Sequence, residues 1–383
     1  MTYQIHFIDT PEAYLNTLER LKDASIYFLD TEFIRERTYR PIVALIQIAI
    51  NDQEAFLIDP TFEGFEPSLL FNLLDQPDKK VVLHSARQDL EIFYYEYHFS
   101  PNNLADTQIM AAALGYGDQI GFDGLVYSIT SDVIDKSQQR TNWLLRPLNE
   151  KQITYAASDV IYLAKIYPFL EAELHNKKRQ AWIADEVSEL CDPDIFSITP
   201  KMIIKKVRHK LSGKAAIAAL HALALFRESL AIEKNLIRTL ICPDILLTYL
   251  AERRPATIEE LQKAKNLKQS AFKHHQEQVL VVIEDARQNI ANIVEESEKP
   301  DRLTYEQEKL VNILSLAADS VSQSHEVARR LFASQADIIH FVRTDTARFL
   351  SGWRHDLFGH IVHDLMSGKK GIYYDNGQII FKE

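Results

Sequence analysis

Four carboxylates and one phenol, spread over three short segments, are the residues whose types and spacing could do chemistry. Asp30-Thr31-Glu32 closes the apolar run IYFLD, which reads as a strand. Side chains alternate along a strand, so Asp30 and Glu32 share a face. His84-Ser85-Ala86-Arg87-Gln88-Asp89 follows a second strand-like run and places Asp89 early in the next helix. Tyr155-Ala156-Ala157-Ser158-Asp159 lies in a strongly helical stretch, where an i, i+4 spacing points the phenol and the carboxylate the same way. Gathered in one cleft, these acids repel one another and raise one another's pKa, so hard cations are expected to neutralise them. Oxygen-only ligands favour Mg²⁺ or Mn²⁺ over zinc. Two such ions roughly 4 Å apart can polarise a phosphodiester, generate hydroxide near neutral pH and stabilise the attacking and leaving oxygens. Tyr155, with an ordinary pKa of about 10, is a poor bulk base, and its expected role is to orient the attacking water. Each residue alone has a structural explanation, the aspartates as turn formers or helix caps and the tyrosine as core. The combination carries the chemical reading.

The elements that must position these residues alternate through the first half of the chain. ALIQIAI (44–50), AFLID (55–59) and KVVLHS (80–85) join IYFLD (26–30) as short runs rich in Ile, Val, Leu and Phe, bounded by charged or turn residues. Thr10-Pro11-Glu12 opens a helix to about Lys22, and Asp106-Thr107 and Asn149-Glu150 are similar helix starts. The pattern predicts a mixed sheet flanked by helices. After about residue 190 the strand signal ends. PDIFSITP (193–200) reads as a linker, residues 211–286 as a helical bundle with breaks at Cys242-Pro243-Asp244 and Arg254-Pro255, and EESEKPDR (295–302) as a second linker. Residues 303–366 are helical again, and Asn376-Gly377 between two β-prone runs signals a hairpin in the tail.

With 383 residues and 46% hydrophobic content, the chain can bury more than one core. Two cysteines exclude a disulfide framework and a CxxC metal knuckle, and a reducing cytoplasm fits best. The first residues lack the charged flank and apolar centre of a signal peptide, and no apolar run approaches the ~20 residues that span a bilayer, so no membrane role is expected. The net charge of −11 is unevenly spread: 16 Lys/Arg face 29 Asp/Glu in residues 1–190, whereas 16 face 11 in residues 191–290. Acids to hold cations and a basic middle to hold phosphates suit a metal-using nuclease, although ordinary surface charge gives the same totals. His274-His275 has no zinc-ligand spacing, and FYYEYHF (93–99) has the helical spacing of packing residues, not of a base-stacking platform.

The order of the motifs, DTE, then HSARQDLEIF, then YAASDVIYL, resembles the DEDD exonuclease superfamily, and the tyrosine four residues before the last Asp places the likeness in its tyrosine branch. LDTEFIRERTYRPIVALIQIA and IDKSQQRTNWLLRPLNEKQITYAASDV extend it: over nearly the whole chain the sequence is similar to the ribonuclease D family. That resemblance implies an α/β, ribonuclease-H-like 3′→5′ exonuclease domain at 1–190, followed by two all-α HRDC-type domains at 205–290 and 303–383. Asp30, Glu32, Asp89 and Asp159 then correspond to metal ligands for two divalent ions, Mg²⁺ or Mn²⁺, and Tyr155 to the catalytic tyrosine. The implied reaction releases nucleoside 5′-monophosphates from the 3′ ends of tRNA precursors and other small structured RNAs. The HRDC-like stretch departs from its family at Phe226, Leu236-Ile237-Arg238 and Asn266. Candidate RNA contacts are Phe33 beside the acids, Lys136 and Arg140 before the third motif, and Lys205, Lys206, Arg208 and Lys210 in the basic middle. No obligatory protein partner is inferred. Two other functions stay open on sequence: a 3′→5′ DNA exonuclease, since no motif reads the 2′-hydroxyl, and a nucleic-acid-binding scaffold without catalysis.

Overall fold

The apolar runs bounded by charge form strands because pleated, half-buried backbone favours β-branched and aromatic side chains. In the computed structural model, which describes residues 3–290 and 302–382, these runs are β2 (Ile26–Ile34), β3 (Ile42–Ala49), β4 (Glu54–Ile58) and β5 (Lys80–Leu83). With β1 (Gln4–Ile8) and β6 (Leu104–Asp106) they make a mixed sheet in the order β1-β4-β3-β2-β5-β6. β1 runs parallel to β4, β5 is parallel to both β2 and β6, and β3 pairs antiparallel with β4. The two edge strands, five and three residues long, are too short for their periodicity to stand out in the sequence. Around the sheet lie α1 (Pro11–Leu21), α2 (Pro67–Leu74), α3 (Arg87–Tyr97), α4 (Thr107–Ala113), α5 (Phe122–Thr130), α6 (Glu150–Asn176) and α7 (Gln180–Cys191). Their starts follow the expected caps: Thr10 accepts from Ala13, Asp106 from Gln108 and Ile109, and Asn149 closes a capping box with Gln152. α6 packs on β4 through small residues, with Ala156, Ala157 and Val160 wholly buried in the same core as Leu57.

The described residues form two compact units, 3–32 with 43–193 and 302–382, and 33–42 with 194–290. This differs from three domains in series. The second unit begins with no open linker: Pro193–Phe196 is a 3₁₀ turn, and Thr199 caps α8 (Pro200–Lys205). It continues through α9 (Lys214–Glu233), α10 (Arg238–Ile241), α11 (Asp244–Arg253), α12 (Ile258–Gln262) and α13 (Gln276–Gln288). α9 is long and apolar enough to cross a membrane by length and composition, but its Ala219, Leu220, Leu223 and Ala224 form the core of this unit. Residues 33–42 pack here as a strap. The Tyr39 hydroxyl donates to Glu228 at 2.5 Å, Arg238 forks onto the same carboxylate and lies 5.1 Å from the Tyr39 ring centroid, and Arg40 N–H donates to Asn235 at 2.9 Å. Glu228 is buried, so this triad satisfies a charge that would otherwise stand alone.

Residues 302–382 carry α14 (Tyr305–His325), α15 (Gln335–Thr344), α16 (His360–Met366) and the antiparallel hairpin of β7 (Gly371–Asp375) and β8 (Gln378–Lys382), so the tail is not all-α. Asn376 and Gly377 both have positive φ, as a type I′ turn requires. This segment shares one core with the sheet-bearing part of its unit. Trp182 and Trp353 stack with centroids 4.6 Å apart, Arg354 reaches Asp185 at 2.6 Å, and Arg348 reaches Glu186 at 2.6 Å. Gly115 sits at a close approach, where an added Cβ would lie 2.7 Å from the Glu326 carbonyl oxygen. The expected linker at 295–302 falls outside the described residues except for Arg302.

Candidate active site

Three elements deliver the acids, each for a local reason. β2 carries Asp30 and Glu32 on one face by alternation. Asp89 occupies the first turn of α3, where a carboxylate suits the positive end of the helix dipole. The turn into α3 is fixed by Asp106, which accepts from Ser85 N–H at 3.1 Å and Ala86 N–H at 2.8 Å while capping α4. On α6 the Tyr155 hydroxyl donates to the Asp159 carboxylate one turn away. Glu32, Asp89 and Asp159 are buried, while Asp30 and Tyr155 are partly exposed.

A second layer holds Tyr155. Trp143 is buried with its ring 6.1 Å from that of Tyr155. Its loop is pinned by Arg146, which forks onto Asp59 and donates to the carbonyls of Trp143 at 2.6 Å and Ala44 at 2.7 Å. Asp59, Asp106 and Arg146 do not stand out in the sequence as parts of a site. The signal available for Asp59 and Asp106 is an acid ending a strand, and for Arg146 a lone arginine in the apolar stretch Trp143–Leu148.

The charges repel as their types predict. Burial, and then Asp159, Asp89 and Glu32, hold Asp30 well above the usual carboxylate range. Burial followed by Asp159 and Asp89 pushes Glu32 up to about 9. Asp159 rises to about 8 through burial, against the lowering effects of the Tyr155 hydrogen bond and the Lys136 charge. Asp89 rises to about 6, again through burial, with the Thr31 hydrogen bond opposing. Four oxygen-only groups, all raised by burial and two of them, Asp30 and Glu32, also by the other acids, fit hard divalent cations, which would discharge that repulsion. Among the described residues no three acidic, histidine or cysteine side chains are drawn close enough to hold an ion as they stand. Two of the acids are engaged by neighbours instead, Asp89 by Thr31 and Asp159 by Tyr155.

The candidate RNA contacts divide. Phe33 follows Glu32 at the end of β2 and is half-buried. Lys136 is exposed, pairs with Asp123 at 2.5 Å and acts electrostatically on Asp159, whereas Arg140 is exposed and makes no ion pair among the described residues. Lys205, Lys206, Arg208 and Lys210 lie in the second unit, exposed and in no ion pair among the described residues. Phe71 stacks on Tyr97 at 4.6 Å and packs on Phe93 and Phe99, so FYYEYHF packs as its spacing predicts.

A mixed sheet flanked by helices, with the four acids on β2, α3 and α6, is matched over residues 5–175 by the family model described as 3′-5′ exonuclease. A second model, the HRDC domain, matches residues 217–283. The chain is 32% identical to ribonuclease D of Gluconacetobacter diazotrophicus, covering 97% of this chain and 95% of that one, and 35% identical to that of Zymomonas mobilis, covering 98% of each. Its structure resembles that of Escherichia coli RNase D, "an exoribonuclease involved in structured RNA processing", with a TM-score of 0.78 and 28% identity over 96% of this chain and 99% of that one. The chain belongs to the ribonuclease D family and is a 3′→5′ exoribonuclease. Its substrate is therefore RNA, and membership implies divalent metal cofactors. The HRDC match covers one module, at residues 217–283.

Proposed function

We propose that this enzyme trims the 3′ ends of tRNA precursors and other small structured RNAs, using Asp30, Glu32, Asp89 and Asp159 as ligands for two divalent ions, Mg²⁺ or Mn²⁺. The observation that carries the site is the set of four acids, each raised by burial and two of them, Asp30 and Glu32, raised also by the others, with Tyr155 bonded to Asp159. When bound, the ions supply the positive charge that polarises the scissile phosphate and lowers the pKa of water. The protein's part is positional. Tyr155 keeps its proton, because burial and the carboxylates around it raise its pKa, so its hydroxyl acts as a hydrogen-bonding guide for the water. Water attacks the terminal phosphorus, the bond to the 3′ oxygen of the penultimate nucleotide breaks, and a nucleoside 5′-monophosphate leaves. The chain is left with a new 3′-hydroxyl.

Phe33 meets the terminal base, a reading supported by its position next to Glu32 on the strand, and Lys136 and Arg140 bind the phosphates behind it, supported for Lys136 by its charge acting on Asp159. Lys205, Lys206, Arg208 and Lys210 bind further phosphates from the HRDC-bearing unit, supported by their exposure and lack of ion pairs among the described residues. The involvement of the Escherichia coli relative in structured RNA processing supports structured RNA as the substrate class. Two free cysteines and the burial of the apolar face of α9 support a cytoplasmic enzyme. The helical run of residues 305–366, with capping boxes opening Tyr305–His325 and Gln335–Thr344, supports reading that segment as a second, divergent HRDC-like module. The deciding experiment follows a 3′-labelled tRNA precursor with Mg²⁺ or Mn²⁺ and then EDTA. Asp30→Asn and Asp159→Asn are expected to abolish release of labelled mononucleotide while remaining folded; near-normal rates in either refute the site.

A further inference from the structure

Between the two acids of β2 sits a residue whose side chain reaches the third acid. Thr31 is 5% exposed, and its hydroxyl donates to Asp89 Oδ1 at 2.5 Å. The backbone amides of Thr31 and of Asp89 itself hydrogen-bond the same carboxylate. Asp89 is 6% exposed and lies at the start of α3, the helix that follows β5, the parallel neighbour of β2. The β5–α3 turn is itself tied down by Asp106 on β6. A carboxylate in a first helical turn has free rotation about two bonds unless something holds it, and here the holder comes from the strand that carries two of the other three acids.

We propose that Thr31 is a positioning residue for the cation site: its hydroxyl occupies one oxygen of Asp89 and leaves the other oxygen aimed at the ion shared with Asp30 and Glu32. The inference rests on the reading of the four acids as that site. A hydroxyl donor on a ligating carboxylate does two things. It fixes the rotamer before the ion arrives, so ordering the side chain takes nothing from the binding energy. It also occupies one lone pair, which restricts the carboxylate to ligation through its free oxygen. Outer partners of this kind typically contribute roughly 10–100-fold to metal affinity or activity. Valine preserves the shape of threonine and removes only the hydroxyl's capacity to donate, whereas serine keeps the donor and loses the methyl.

The test measures Mn²⁺ binding to the full-length protein by calorimetry without RNA, alongside Mn²⁺ titrations of exonuclease rate. Thr31→Val is expected to weaken Mn²⁺ binding roughly 10-fold or more, to shift the rate titration by the same factor and to recover most of kcat at saturating Mn²⁺. Thr31→Ser should stay within a few-fold of wild type. In an Asp89→Asn background, Thr31→Val should add no further loss. Wild-type affinity in Thr31→Val, an equal loss in Thr31→Ser, or a full additional loss on Asp89→Asn overturns the role of the hydroxyl while leaving the site intact. Thr31→Val and Thr31→Ala both failing to fold would assign the hydroxyl to holding the strand end and also overturn it. Failure of the underlying reading is distinct: wild type and Asp89→Asn would then bind Mn²⁺ alike.

Discussion

At the scale of single residues, the four acids make the metal-free protein sensitive to pH in a direction opposite to the usual carboxylate. Glu32 titrates near 9 in the folded protein against an ordinary 4.5. Between those values the folded state binds the extra proton, so stability falls as pH rises through the window; below about 4.5 the contribution is fully present. In EDTA the melting temperature should therefore decline from about pH 5 to about pH 9, Glu32→Gln should flatten the decline, and Mn²⁺ should raise the melting temperature most at the alkaline end. Identical slopes for wild type and Glu32→Gln would show that the acids are not the cause. Tyr155→Phe removes one hydroxyl that keeps its proton, so single-turnover rates should fall about 10²-fold with Mn²⁺ affinity little changed. A loss of affinity as large as that of Asp159→Asn would make Tyr155 part of the ion-binding shell.

At the scale of elements, the caps and the strand runs were legible because each is a local signal. Thr10, Asp106 and Asn149 announce helices whose first N–H groups need acceptors, and all three accept. The pinning of the loop before α6 was not legible, since Arg146 and Asp59 are 87 residues apart and meet only in the fold. Asp59→Asn should break the fork and leave a half-buried guanidinium short of a partner. The expected cost is about 1–3 kcal/mol in urea melts, together with a fall in kcat as Trp143 loosens against Tyr155. Unchanged kcat with lowered stability would confine Arg146 to scaffolding.

At the scale of the whole molecule, the chain should not be divisible where its sequence suggested. Residues 302–382 share a core with the sheet-bearing part of the first unit through the Trp182–Trp353 stack and the arginines on Asp185 and Glu186. A chain ending at Leu190 or at residue 301 exposes that seam, and is expected to melt well below the full chain or to aggregate; a soluble truncation with the full melting temperature would show the seam to be dispensable. The basic residues of the second unit are proposed to bind RNA phosphates. Replacing Lys205, Lys206, Arg208 and Lys210 with alanine should flatten the plot of log K for tRNA precursor against log salt by about 0.7–0.9 for every phosphate that is no longer neutralised, with kcat on short saturating strands retained. An unchanged slope would confine RNA recognition to other residues.

The sequence by itself determined the α/β class and the placement of Asp30 and Glu32 on a strand, Asp89 early in a helix and Tyr155 with Asp159 on another, because period-2 and i, i+4 spacing are properties of neighbouring residues and need no partner. It also determined the helical second half and the Asn-Gly hairpin. What only the tertiary structure decided is what those elements are joined to. Thr31 reaches Asp89 across 58 positions, residues 33–42 pack with α9 and α10, and the tail shares a core with the nuclease. Each of these is a long-range pairing of one buried donor or apolar face with another. Their gain depends on desolvation at a meeting point that no local window contains, so any of the many buried polar and apolar residues could have served until the chain was folded.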